Sequence, residues 1–277
     1  MKRRALLAAA LAAGSLQAQR PRRTALVIGN AAYETAALAN PVRDAELVAG
    51  ALRAICFDVA LARDLALAPM NAAIDDWLQR GLEADARFFF YAGHGAQFRG
   101  RNYLLPVDAE LAREDDILAA GVNASELVER IGRLPRGVNT VVLDACRDAP
   151  FPITRRLPGV RSRAVVGTSA NALLPALPAR GTLLAYSTSP GAVAYDGKDG
   201  HSAYARHLAA QLASPGLTVE AVFKRVRQAV ARDTGNRQVP WDASSLVGEF
   251  CLVSGPGGAC PAVAAGSVDL GARAAGR

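Results

Sequence analysis

Histidine is scarce in this chain of 277 residues: only positions 94, 201 and 207 carry it, and there are four cysteines. No CxxC or HxxxH pair occurs among them, which argues against a zinc centre, whose ligands come at such spacings. Aromatic residues make up 6% of the chain and do not interleave with the scattered arginines, so the surplus of positive charge does not point to nucleic acid. A lone glycine in "VIGNAAY" is no GxGxxG fingerprint, which sets aside a dinucleotide site. No internal repeat appears and no linker divides the middle. With 51% apolar residues the chain is read as one large domain able to bury a substantial core.

A long apolar run is also missing. The one at the start, Ala5 to Leu16, follows Lys2, Arg3 and Arg4 and is too short to span a bilayer comfortably. It ends in "LQAQ" with Ala18 as a cleavage-site residue, so residues 1–18 are read as a signal peptide and the mature protein as periplasmic or secreted, without a stable membrane span. Loss of Lys2, Arg3 and Arg4 lowers the formal net charge from +7 to +4. In an oxidising compartment Cys251 and Cys260 are the candidate disulfide, closing "CLVSGPGGAC", while Cys56 is read as a buried thiol in an apolar stretch. Cys146 is then the thiol to explain. Residues 255–277, rich in small residues and without hydrophobic period, are expected to form a flexible tail.

What is present is an alternation of apolar strands and amphipathic helices. Residues 24–29, 57–62, 86–92, 139–145 and 181–187 read as strands, and "GEFCLV" (248–253) as a sixth. Between them, residues 43–55 place Leu47, Ala51 and Ile55 on one helical face, and Met70, Ile74, Trp77, Leu78 and Leu82 repeat on another. Further helices are expected near 124–133, 200–213 and 217–233, and "GRNYLLPVD" (100–108) as the return strand of a surface hairpin. This order predicts an α/β sandwich with a mostly parallel sheet. Ligand chemistry in such sheets gathers at the carboxyl ends of strands. His94 follows the strand "ARFFFYA" and Cys146 follows "NTVVLDA", so both are expected at that edge.

The segments "FFFYAGHG" and "VVLDACRD" resemble the caspase-like cysteine peptidases of bacteria and the metacaspases, peptidase family C14 of metacaspase or orthocaspase type. The resemblance extends over residues 23–253 through "LVIGNAAY", "ANPVRDA", "GRNYLLPVD", "AYSTSPG" and "RQVPW". Asp144 and Asp148 stand where the animal-caspase signature has glutamine and glycine, so the likeness is to the metacaspase side. It implies a three-layer αβα sandwich with a six-stranded, mostly parallel sheet. It also implies Cys146 as nucleophile, His94 as general acid and base, and the backbone N–H groups of Gly95 and Cys146 as the oxyanion hole. The chemistry is consistent: a free thiol is only a few per cent thiolate at neutral pH and needs a partner that generates the anion.

In metacaspase-like enzymes, acids matching Asp44 and Asp144 line the pocket for the residue before the cut bond. The resemblance therefore implies protein or peptide substrates cleaved after Arg or Lys, although Asp44 also fits a helix N-cap. Tyr186, Ser187 and Ser189 are expected along the substrate backbone by resemblance alone. Arg155, Arg156, Arg161 and Arg163 lie in a long segment where relatives are cut during maturation, and they are the candidate self-cleavage points. No cofactor is required by the pattern. Calcium stays open, since Asp108, Glu114, Asp115, Asp116 and Asp148 are nearby acids without EF-hand spacing. His201 and His207, six apart, share no helical face and are read as structural or exposed. The alternative to an enzyme is a non-catalytic caspase-like domain that binds a partner through the same cleft.

Overall fold

The computed structural model describes residues 21–145, 179–189 and 200–255. The expected signal peptide, Cys146, the four candidate self-cleavage arginines, Asp148, Cys260 and the expected tail lie outside these residues.

In chain order the elements are β1 (Arg23–Gly29), α1 (Pro41–Ala54), β2 (Asp58–Arg63), α2 (Leu67–Arg80), β3 (Ala86–Ala92), β4 (Gly95–Phe98), β5 (Arg101–Leu104), α3 (Ile117–Ala120), β6 (Val122–Asn123), α4 (Ala124–Gly132), β7 (Val138–Asp144), β8 (Thr182–Tyr186), α5 (Ala203–Leu212), α6 (Val219–Asp233) and β9 (Trp241–Ser244). Six strands form the main sheet in the order β2-β1-β3-β7-β8-β9, parallel except for the antiparallel edge strand β9.

The central strands are predominantly apolar because both their faces are covered, with the polar residues Arg23, Arg87, Asn139 and Asp144 near their ends. Phe88 and Phe90 of β3 pack with Val48 and Leu52 of α1, Leu208 of α5 and Val226 of α6. Phe89 and Tyr91 point the other way, toward Ile74 and Trp77 of α2 and Leu127 of α4. A run with no visible alternation thus still obeys the period of two of a strand. Every such ring taken fully out of water contributes about 1.5–3 kcal/mol of gross stabilisation. The sandwich is consequently α1, α5 and α6 on one side, with α2 and α4 on the other.

Beyond β3 the chain leaves the main sheet as a hairpin. β4 and β5 pair through Phe98↔Arg101, so the loop is Arg99–Gly100, with φ of 48° and 75°. Two consecutive positive φ values define the tight hairpin turn whose twist suits the flanking strands.

Four expectations need correction. The sixth strand is β9, not 248–253: Cys251 makes only an isolated bridge to Thr218, and Leu252 and Val253 lie buried in a bend that follows it. Their apolarity reflects that burial, and the buried Arg23 guanidinium holds the segment by donating to the Leu252 carbonyl at 2.6 Å. The buried face of α1 is Ala45, Val48, Ala49 and Leu52, while Leu47 and Ala51 sit at its edge. Leu82 falls past the end of α2 and is exposed. Finally, Cys251 is a free thiol and Cys56 is disulfide-bonded. Cys56 is exposed, with φ of 67°, because its neighbours Ile55 and Phe57 take the two inward positions.

Candidate active site

In the sheet order, β1 leads to β2 on one side while β3 pairs with β1 on the other, so connections diverge at the carboxyl ends of β1 and β3. Such a divergence opens a crevice. His94 stands two residues beyond the end of β3 and is buried, 7% exposed. The parallel register pairs Ala92 with Asp144, so the chain reaches positions 94 and 146 the same two steps past a paired rung.

The imidazole is oriented by the loop after β1. Its Nε2 lies 2.7 Å from the Ala36 carbonyl oxygen. A carbonyl only accepts, so Nε2 carries the proton, and Nδ1 is the nitrogen of the neutral ring that can take one up. That loop is itself held. Asp64 accepts from the amides of Ala31 and Ala32 at 2.8 and 2.9 Å, and the Asn30 side chain reaches both Leu65 and Leu105.

Two tyrosines fix the backbone beneath the ring. The His94 amide donates to the Tyr33 hydroxyl at 2.9 Å, and the Tyr91 hydroxyl lies 2.7 Å from the His94 carbonyl. The Tyr33 ring also packs against the imidazole, with centroids 4.4 Å apart. Burial pushes the Tyr33 phenol up to about 12, so it stays protonated across the working range. Gly93 makes this packing feasible. A Cβ there would come within 2.7 Å of both hydroxyls, and its φ of 154° disfavours any other residue.

Gly95 begins β4 opposite Leu104. The Leu105 amide bonds to the His94 carbonyl, so Gly95 and Leu104 form the non-hydrogen-bonded rung of the alternating ladder. The Gly95 N–H is therefore turned away from β5 and makes no ladder bond to it.

Asp44 and Asp144 come from α1 and from the last position of β7, and the structure joins them through one residue. The Ser202 amide donates to Asp44 Oδ1 and Oδ2 at 3.1 and 3.2 Å, while the Ser202 hydroxyl donates to Asp144 Oδ2 at 2.9 Å. The same hydroxyl accepts from the Ala205 amide at 3.0 Å as the N-cap of α5. Asn40 holds the cap position of α1, so Asp44 is not a cap: its carboxylate is turned to α5. His201, read from the sequence as structural or exposed, is 33% exposed, with Nδ1 3.0 Å from Asp44 Oδ1.

Burial raises the Asp44 pKa, against the opposing hydrogen bonds from Ser202 and His201. A carboxyl that holds its proton more firmly when folded makes the folded state bind more protons than the unfolded one. Stability then rises as pH falls from the raised value toward the ordinary carboxylate value, and is lower above that window. We expect Asp44→Asn, which keeps an acceptor at Oδ1, to melt at a higher temperature than the wild type at neutral pH. The gap should close as the pH is lowered through the window, read as Tm against pH. A constant gap would assign the effect to packing and not to titration.

Other expected residues fall as follows. Tyr186 is buried on the α2/α4 side, accepting from Asn102 Nδ2 at 3.0 Å and packed near Trp241. Ser187 is fully buried, with no hydrogen-bond partner on its hydroxyl among the described residues. Ser189 is half-buried and donates to the Val239 carbonyl at 2.7 Å. Asp108 accepts from the Leu67 amide and Asp116 from the amides of Ala112 and Arg113. Among the described residues, no three His, Cys, Asp or Glu side chains converge as a metal would require. Sequence reading missed Tyr33, Ala36, His201 and Ser202. Tyr33 stood within "LVIGNAAY", but Ala36 acts through its main chain and leaves no side-chain signal.

Comparison with known proteins shows the family. The family profile described as peptidase C14, caspase domain, matches residues 22–251. The mucosa-associated lymphoid tissue lymphoma translocation protein 1 of Homo sapiens is 30% identical over 126 residues, 45% of this chain and 15% of that protein. Its homolog from Mus musculus matches to the same extent. The chain thus matches only a small part of the length of these curated relatives.

Proposed function

The chain belongs to the caspase-domain peptidases of family C14, and from that premise we propose that it is a cysteine endopeptidase with a His94–Cys146 dyad that cuts after Arg or Lys. The observation that carries the reading is the His94 imidazole held by the Ala36 carbonyl at the carboxyl edge of the sheet, two positions past the Ala92↔Asp144 rung. A histidine kept in one tautomer, with its accepting nitrogen defined, is arranged as a base.

In this reading the Cys146 thiol gives its proton to His94 Nδ1, and the thiolate attacks the carbonyl carbon of the substrate. The carbonyl electron pair moves to oxygen, where the Gly95 and Cys146 N–H groups stabilise it. On collapse the C–N bond breaks and the imidazolium returns its proton to the departing amine. Water then gives a proton to the same nitrogen as it attacks the thioester carbon; the C–S bond breaks, the acid product leaves, and the imidazolium returns the proton to the Cys146 sulfur. Ala36 stabilises the imidazolium through its carbonyl without exchanging a proton.

Asp44 and Asp144 receive the basic side chain. Two carboxylates meeting on one serine are costly without a cation, and a guanidinium or ammonium relieves that cost. Export to the periplasm or beyond belongs to the same proposal, and the disulfide at Cys56 supports it, since such bonds persist in oxidising compartments. Self-cleavage after Arg155, Arg156, Arg161 or Arg163 would follow from the same specificity.

The test is turnover of a fluorogenic Arg peptide and of its Asp counterpart under reducing conditions, with and without Ca²⁺, beside Cys146→Ala. We expect cleavage of the Arg peptide by wild type alone, and electrophile labelling at Cys146. No turnover and no labelling would favour a partner-binding domain. Comparing the intact bands of both proteins over time decides self-cleavage, and the ratio of rates with and without the ion decides the role of calcium.

The orienting carbonyl has its own test. Ala36 has φ of 62°, which proline, locked near −65°, does not adopt. Ala36→Pro should swing the carbonyl off Nε2 and lower kcat by on the order of 10²-fold while the far-ultraviolet circular dichroism stays unchanged. Wild-type kcat in a folded Ala36→Pro would remove Ala36 from the catalytic assembly.

A further inference from the structure

The N-terminus of α5 closes over the acid pair, and the two residues that open it, His201 and Ser202, are assigned by neither the family resemblance nor the reaction above. Ser202 gives each acid a different donor: its amide serves Asp44 and its hydroxyl serves Asp144. Because the hydroxyl oxygen also accepts the Ala205 N–H, its proton is directed at Asp144. Neither carboxylate needs to share a proton with the other, and the positive end of the ten-residue α5 opposes the burial that raises the Asp44 pKa.

His201 adds a group that can carry charge. Its Nδ1 lies 3.0 Å from Asp44 Oδ1, the oxygen that also receives the Ser202 amide. A neutral imidazole donates a hydrogen bond and leaves the negative charge of Asp44 in place, whereas an imidazolium cancels it. A buried carboxylate that already holds one cation repels a second. Among the described residues, the other charged or titratable groups near the pair behave differently. Tyr204 of α5 is held neutral by burial, well above its ordinary range. Arg43 of α1 is exposed, with its guanidinium against Gly200 and bonded to Asn40 Oδ1 at 2.8 Å. Arg227 of α6 is committed to Asp242 of β9.

We propose that His201 is a specificity-determining residue of the pocket, an internal cation that a substrate Arg or Lys side chain displaces by driving the imidazole to its neutral form. The proposal rests on the basic-residue reading of Asp44 and Asp144. Binding of a basic side chain is then coupled to loss of a proton from His201, while a neutral side chain meets a pocket whose own charge His201 offsets. The pH dependence of binding reads this coupling directly. By linkage, affinity for a basic side chain should fall with pH by up to about tenfold per unit once His201 is protonated.

The experiment is calorimetric titration of the full chain carrying Cys146→Ala with N-acetyl-arginine amide, between about pH 5.5 and 8 and in buffers of different ionisation enthalpy. The N-acetyl-norleucine amide is the neutral control. We expect the arginine probe to bind about fivefold or more weakly at the acid end, with a heat that reports proton release. His201→Asn, which retains an N–H donor for Asp44 but does not titrate, should flatten both dependences. Because His201 is partly exposed, this replacement leaves the core intact, and a thermal melt verifies it. Binding of the arginine probe with the same pH slope in wild type and His201→Asn, or with no slope, overturns the role of His201 and leaves the acid pocket standing. Equal or stronger binding of the norleucine probe overturns the basic-residue reading, and the proposal with it.

Discussion

His94→Ala should fold and lose peptidase activity, with kcat for an Arg peptide falling on the order of 10²- to 10⁴-fold, the usual worth of a positioned acid and base. Folding survives because the main-chain bonds of His94 remain: the amide bonds to Tyr33, and the carbonyl to Tyr91 and Leu105. The lost side chain takes with it the contact to Tyr33 and the bond to Ala36, a modest structural loss beside the catalytic one. A second readout separates chemistry from packing. Alkylation of Cys146 should shift to higher pH, since the thiol loses the base that generates its anion. A folded His94→Ala that keeps wild-type kcat and an unshifted alkylation profile would remove the dyad from the mechanism.

Asp144→Asn should lower kcat/KM for Arg and Lys peptides by on the order of 30- to 4,000-fold, the equivalent of the 2–5 kcal/mol typical of losing one partner of a buried charge pair. A peptide with a neutral residue before the scissile bond should be nearly unaffected. Asparagine retains an oxygen for the Ser202 hydroxyl, so the N-cap of α5 is preserved and the change is chiefly one of charge. Combined with Asp44→Asn, the losses should not add, because both acids are held by the same serine and serve the same cation. Equal losses on basic and neutral peptides would make Asp144 a structural residue and send the search for the basic-side-chain pocket elsewhere.

Much of the fold was legible along the chain because central strands announce themselves. "ARFFFYA" carries one charged residue, Arg87, ahead of an unbroken run of three phenylalanines, and β3 runs over residues 86–92 as read. The last strand was not legible for the opposite reason. β9, "WDAS", is a half-exposed antiparallel edge with little apolar content, whereas "GEFCLV" owes its apolarity to burial against the sheet's helices. The face of α1 was misplaced because spacings of four fit Leu47 and Ala51 as well as Ala45 and Ala49, and only packing against α5 chooses between them. Cys56 looked buried for its neighbours' sake; they are inside and it is not.

The site divides in the same way. Local patterns alone determined the strand ends that carry His94 and Asp144, the glycines around the histidine, and the three-layer architecture that makes a carboxyl edge, since these follow from hydrophobic runs and from the short range of turns. Only the tertiary structure decided which partners those residues meet. Ala36 is 58 positions from His94 and works through a backbone carbonyl. His201 and Ser202 lie 157 and 158 positions from Asp44. No periodicity encodes such distances. The closing of α5 over the end of the sheet, driven by burial of its apolar face, brings a serine and a histidine of no evident signature onto the two acids.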